Sequence, residues 1–165
     1  TFVGTEVYKK TLGIVGLGKI GSHVAGVAKA MGMKLLAFDP FISTERAEQM
    51  GVQLVDKDLL VKQADYITLH IPKTPETAHL INTEMLAKMK PNARIINCAR
   101  GGIIDEEALA IALKEGKIKG AALDVYESEP LGESPLKTLG KEVVLTQHLG
   151  ASSTVVQVNG AIDVA

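Results

Sequence analysis

Three residues in the second half of the chain have side chains suited to work on a small anionic molecule: Arg100, Glu129 and His148. Arg100 precedes Gly101-Gly102, where the backbone has room to approach a ligand, and its planar guanidinium suits bidentate capture of a carboxylate. His148 follows a short apolar run and precedes Leu149-Gly150-Ala151-Ser152. If the loop that carries Glu129 folds back on it, the carboxylate fixes the imidazole ring and stabilises its charged form, which makes a general acid/base for work near neutral pH. His23, His70 and His79 read as ordinary polar residues. Cys98, with apolar neighbours, reads as a buried thiol packing beside a bound ligand.

A second group lies near the start of the chain. The apolar run Leu12-Gly13-Ile14-Val15 leads into Gly16-Leu17-Gly18-Lys19-Ile20-Gly21, a helix-like segment runs from Lys19 to Met31, and a second apolar run from Leu35 to Phe38 stops at Asp39. Strand, turn, helix, strand is the context in which three glycines have separate jobs: a tight turn, close approach of backbone N–H groups to a pyrophosphate, and close packing of the helix on the strand. The helix N-terminus then faces the phosphates with its partial positive charge. Asp39 stands about 20 residues past the glycines, where a carboxylate accepts hydrogen bonds from an adenosine ribose. Pro40-Phe41 follow it, with no arginine to receive a 2′-phosphate, so the expected dinucleotide is NAD rather than NADP.

The elements that must hold these groups can be read in order. Residues 1–10 form a lead-in segment, with Glu6-Val7-Tyr8 as the end of a helix. After the opening unit, Ser43 caps a helix that ends near Gly51, Val52 to Val55 is a strand, and Asp56 to Gln63 a short helix. Tyr66 to His70 is a buried strand by its β-branched and aromatic content, closed by Pro72 and Pro75. Thr83 to Met89 is a helix and Arg94 to Asn97 a strand; Asp105 to Lys114 is a helix with Ala108, Leu109, Ala112 and Leu113 on one stripe. Gly120 to Leu123 and Val143 to Leu145 are the last strands, joined by a loop with Glu129-Pro130 and Pro135. Near-continuous apolar strands alternating with helices give an α/β class, a doubly wound parallel sheet of the Rossmann type. Gly16, Asp39, Pro72, Arg100, Asp124 and His148 each follow a strand, so they are expected to converge on one cleft at the carboxyl ends of the sheet.

The whole chain of 165 residues is the size of one domain. A net charge of -1 with 22% charged residues offers no field for nucleic acid or an anionic membrane, so neither is an expected partner. A single cysteine excludes an internal disulfide, and without clustered His and Cys no metal site is expected. The sequence opens on no charged-then-apolar leader and has no apolar run near the ~18 residues of a membrane span. A cytoplasmic location is therefore expected, or an organellar stroma in a eukaryote.

Three blocks in order behind the glycine turn carry a family resemblance: residues 97–106 (NCARGGIIDE), residues 121–130 (AALDVYESEP) and residues 148–152 (HLGAS). They resemble the signatures of the D-isomer-specific 2-hydroxyacid dehydrogenases, most closely the branch that oxidises 3-phosphoglycerate. The resemblance implies that Arg100 binds the substrate carboxylate, that His148 is the acid/base on the hydroxyl or carbonyl, and that Glu129 is its partner. It also implies cofactor contacts from Lys19 and Ile20, from Ile71 and Pro72, from Cys98, Ala99 and Arg100, from Asp124, and from His148, Leu149, Gly150 and Ala151. It further implies a homodimer and a separate substrate domain, which is not found in these residues. A glyoxylate or hydroxypyruvate reductase of the same family stays open, as does a non-enzymatic NAD-sensing module like the superfamily's corepressor. One departure stands out: the family usually has proline before the histidine, where this chain has Gln147 with a backbone N–H and no fixed φ.

Overall fold

The apolar run Thr11–Val15 forms β1, an interior strand of a parallel sheet whose alternate residues serve two helix layers. Leu12 and Ile14 join one buried cluster and Val15 the other. Gly13 lies so close under Leu60 that a Cβ there would sit 2.6 Å from its Cδ2. The computed structural model describes residues 4–150.

The described elements are β1, α1 (Lys19–Ala30), β2 (Lys34–Phe38), α2 (Thr44–Met50), β3 (Gln53–Leu54), α3 (Lys57–Gln63), β4 (Tyr66–Leu69), α4 (Thr83–Lys88), β5 (Arg94–Asn97), α5 (Glu106–Lys114), β6 (Gly120–Leu123) and β7 (Val143–Leu145). The strand order is β3-β2-β1-β4-β5-β6-β7, with every pairing parallel. Strand order reverses between β1 and β4, the crevice where doubly wound sheets receive ligands. Helices α1 and α2 cover β1 and β2 with Ala25, Ala28 and Ala47 against Leu12, Ile14, Leu35 and Ala37. On the opposite face α3, α4 and α5 bring Leu60, Leu86 and Leu109 onto Ile67, Leu69, Ile95 and Leu123.

Local sequence sets the helix starts. Ser43, Asp56, Asn82 and Asp105 are the N-caps of α2 to α5, and each side chain accepts a backbone N–H three residues on, an interaction worth about 1 kcal/mol. Helix α1 differs, since its N-cap is Gly18 and no side chain caps it. Its first-turn donors point toward the carboxyl ends of the strands.

Two expectations are corrected. Glu6-Val7-Tyr8 is not helical: Lys9 has φ +61°, the Lys10 N–H donates to Val7 O and the Lys9 N–H to Gly32 O, so this stretch spends its donors on a turn and on the α1–β2 connection. The long loop before β7 also contains two single-turn 3₁₀ segments, Pro135–Thr138 and Gly140–Glu142, pinned by the fully buried Leu136.

Candidate functional site

Two of the three glycines are dictated by close approach. Gly16 has φ +92°, and a Cβ there would lie 2.6 Å from both the His70 carbonyl oxygen and Ile71 Cγ2, so the turn after β1 is pressed on the end of β4. A Cβ on Gly21 would run into the Gly16 carbonyl oxygen, so α1 reaches the turn only without a side chain. Gly18 is different, because nothing lies within 4 Å of where its Cβ would be. That open space lies in front of the uncapped N-terminus of α1, whose first turn has no acidic residue. Lys19 is exposed, and Ile20 displays its apolar side chain at 69% exposure.

Asp39, at the end of β2, uses one lone pair of each oxygen internally: Leu17 N–H donates to Oδ2 at 2.7 Å and Phe41 N–H to Oδ1 at 2.8 Å. Each oxygen keeps acceptor capacity for a ribose hydroxyl. Open space at Gly18, a helix N-terminus without a side-chain cap and an oriented carboxylate one strand away suit a dinucleotide. His70 presents its ring to Thr68, with 3.0 Å between Nε2 and the threonine oxygen. Burial pushes its imidazole below the ordinary histidine value, so it adds no charge beside the turn at neutral pH.

Three successive loops hold the other residues. After β5, the buried Asn97 ties its own loop: its Nδ2 donates to Arg100 O at 2.9 Å, and its Oδ1 accepts from Ala99 N–H at 3.0 Å. Arg100 is exposed, donates to Ala99 O, and has no carboxylate partner among the described residues. After β6, Tyr126 N–H donates to Glu129 Oε1 at 3.1 Å, and Glu129 Oε2 lies 2.6 Å from His148 Nδ1. His148 and then the Tyr126 N–H hold the Glu129 carboxyl below the usual carboxylate range. After β7, Asp124 secures the histidine's loop, accepting from Thr146 Oγ1 (2.6 Å), Leu149 N–H (2.8 Å) and Gly150 N–H (3.0 Å). Burial alone would raise the Asp124 carboxyl; these donors and nearby His148 outweigh it and keep the group ionised. His148 has φ +55°, a conformation that a non-glycine residue adopts only when its surroundings impose it.

The expected residues thus gather at the carboxyl ends of β1, β2, β4, β5, β6 and β7, with Ile71 and Pro72 on the β4 loop. Ala151 lies outside the described residues. Cys98 is not the buried thiol that its neighbours suggest, because it stands one residue past β5 and is exposed. Partial burial, then the Asp124 charge, pushes its thiol up, away from thiolate chemistry. His79 is the satisfied polar residue expected, with Glu127 Oε1 3.0 Å from its Nε2. Sequence reasoning missed Asn97 and Tyr126, whose hydroxyl lies 2.5 Å from Thr146 O and 3.1 Å from Leu123 O and has one proton to give them. Their signal is burial of a polar side chain at the end of β5 and in the turn after β6, which spacing does not reveal.

The family pattern described as the D-isomer specific 2-hydroxyacid dehydrogenase, NAD binding domain, matches residues 1–150. This chain belongs to that family. The D-3-phosphoglycerate dehydrogenase of Synechocystis sp. is 73% identical over 164 residues, which are 99% of this chain and 29% of that protein. The D-lactate dehydrogenase of Lactobacillus jensenii, solved with NAD+, superposes with a TM-score of 0.86 at 33% identity, covering 98% of this chain and 52% of that one. A glyoxylate reductase from Paecilomyes thermophila gives a TM-score of 0.89 at 37% identity, over 98% of this chain and 49% of that one. This chain therefore spans under a third of the Synechocystis relative and about half of each solved one.

Proposed function

We propose that residues 1–165 are the NAD-binding domain of a dehydrogenase that oxidises 3-phosphoglycerate to 3-phosphohydroxypyruvate, with the substrate domain on chain outside these residues. The observation that carries the reading is the Glu129–His148 pair at 2.6 Å, on a loop fastened by Asp124 beside the Arg100 loop. The 73% identity to a D-3-phosphoglycerate dehydrogenase supports the choice of substrate.

In this reading Gly16, Gly18, Gly21, Lys19 and the first turn of α1 hold the pyrophosphate, and Asp39 takes the adenosine ribose. NAD, when bound, supplies the nicotinamide carbon that accepts a hydride from C2 of the hydroxy acid. Arg100 grips the substrate carboxylate with two parallel N–H donors, which fixes C2 in orientation. With Nδ1 engaged by Glu129, Nε2 of His148 takes the C2 hydroxyl proton as the carbonyl forms, and the carboxylate stabilises the resulting imidazolium. In the reverse direction the same nitrogen returns the proton. The substrate domain closes the cleft and excludes water, and a homodimer and a cytoplasmic location belong to the same proposal.

The glyoxylate reductase likeness favours a second reading, reduction of a shorter 2-oxo acid by the same residues. Full-length protein assayed for NADH formation with 3-phosphoglycerate, and for NADH consumption with glyoxylate and hydroxypyruvate, separates the two. The phosphorylated substrate is expected to be turned over with the higher kcat/KM; a preference for glyoxylate would replace the first reading with the second. These 165 residues alone are expected to bind NAD by calorimetry yet show no appreciable turnover, because half of the cleft wall is elsewhere.

A further inference from the structure

Outside the site just described, a second set of titratable groups joins the same loops. Glu127 Oε1 lies 3.0 Å from His79 Nε2 and accepts the Glu106 N–H at 3.3 Å; in return, Glu106 Oε1 accepts the Glu127 N–H at 2.6 Å. Three segments meet here: the loop after β4, the start of α5 and the turn that carries Glu129. His79 has φ +49°, and its N–H donates to Gly102 O, so the histidine also fastens the loop of Arg100. The Arg100 and Glu129 loops touch backbone to backbone as well, since a Cβ on Gly101 would run into the Tyr126 carbonyl.

We infer that His79, Glu106 and Glu127 form a clasp that sets the spacing between the Arg100 loop and the Glu129 turn, and are therefore positioning residues for substrate binding and proton transfer. Glu127 is two residues from Glu129, and Tyr126 between them gives its N–H to Glu129. Glu106 is the first residue of α5, and the only chain between it and Arg100 is the five-residue link 101–105. Burial, and then the charge of Glu127, raises the Glu106 carboxyl, so the two acids sit together at a cost that the Glu127 N–H and His79 only reduce. Such a contact is retained for placement more readily than for stability, since paired carboxylates repel.

The inference rests on the proposed dehydrogenase reading, and its test has one readout that does not. In full-length protein, Glu127→Ala is expected to raise KM for 3-phosphoglycerate and lower kcat, together about tenfold in kcat/KM, by shifting groups that must stay within about 0.5 Å. NAD affinity is expected to stay within about twofold, since the Gly16 turn and Asp39 are not touched. Glu127→Gln keeps an oxygen for the Glu106 N–H and His79 and is expected to recover most of the loss. Independently, the position of the His148 ring is followed at one fixed pH by the NMR chemical shifts of its carbon-bound protons in the 165-residue chain. These shifts are expected to move in Glu127→Ala, and in His79→Ala, because the turn that carries Glu129 moves with the clasp. Unchanged kcat/KM and unchanged His148 shifts in Glu127→Ala would overturn the clasp, as would a Glu127→Gln variant as impaired as alanine. Moved shifts in a protein with no dehydrogenase activity would leave the clasp standing and remove the dehydrogenase reading.

Discussion

Asp124 Oδ1 accepts the Leu149 N–H at 2.8 Å, so the loop that follows His148 hangs from a buried carboxylate at the end of the neighbouring strand. The second oxygen takes the Gly150 N–H. Asp124→Ala leaves both N–H groups and the Thr146 hydroxyl without their acceptor and is expected to cost about 2–3 kcal/mol of stability. Asp124→Asn is not a rescue, because its NH₂ would face one of the two N–H groups. Urea midpoints and amide exchange at Leu149 and Gly150 check this. An asparagine variant as protected as wild type would show that the carboxylate charge and its second acceptor are dispensable.

Asp124 shares its electrostatic sign with Asp65, whose oxygens accept from Thr11 N–H at 2.8 Å and Lys90 Nζ at 2.9 Å. Burial alone would raise the Asp65 carboxyl; the Thr11 N–H and Lys90 outweigh it and set it below its ordinary value. Unfolded carboxylates of this type titrate near pH 4, roughly, and the folded ones lower, so their stabilisation is complete above about pH 5 and disappears as pH falls through the folded values. Wild type is therefore expected to lose stability from about pH 5 downward. Asp65→Asn should start about 1 kcal/mol less stable at pH 7 and converge on wild type as pH falls below the ordinary carboxylate range. Urea midpoints across that range decide it; a gap that widens on acidification would reverse the assigned sign.

How far the sequence revealed this arrangement depends on how local each cause is. Apolar runs and caps such as Ser43, Asp56 and Asp105 act within a few residues, and the strands and helices they predict lie within one or two positions of those observed. The glycine turn is equally local. The loop fastenings are not: Asn97, Asp124 and Tyr126 matter because of which loops the sheet order places side by side, and that order places β5, β6 and β7 together only once the chain has wound. The exposure of Cys98 was not legible in its apolar neighbours, and the partner of His79 lies 48 positions away at Glu127.

Asp39 is expected to set the choice of dinucleotide. Its carboxylate would meet a 2′-phosphate as a like charge, whereas ribose hydroxyls find its remaining lone pairs. Calorimetry should give NAD the tighter binding, and Asp39→Ala should weaken NAD about tenfold while leaving NADP unchanged or tighter. Because Asp39 also accepts the Leu17 N–H, part of the NAD loss will come from a looser turn. The ratio of the two affinities is therefore the decisive quantity, and a ratio unmoved by the substitution would assign discrimination to another residue.

Gly18 and Gly21 separate what the turn does for binding from what it does for folding. A methyl on Gly21 meets the Gly16 carbonyl, a backbone atom that cannot swing aside, so α1 must retreat from the turn. Gly21→Ala is expected to lose about 3 kcal/mol of stability and NAD binding with it. A methyl on Gly18 meets nothing within 4 Å, and its φ of -71° is one that alanine adopts readily. Gly18→Ala should remain within about 1 kcal/mol of wild type, the loss arising from alanine's poorer N-cap preference. Its methyl nevertheless stands in the gap before the first-turn N–H groups, where the pyrophosphate must come close. NAD affinity is therefore expected to fall at least about tenfold in a protein that melts almost as wild type does. Thermal unfolding and calorimetry on both variants make the comparison, and a Gly18→Ala chain that still binds NAD at wild-type strength would place the pyrophosphate somewhere other than this turn.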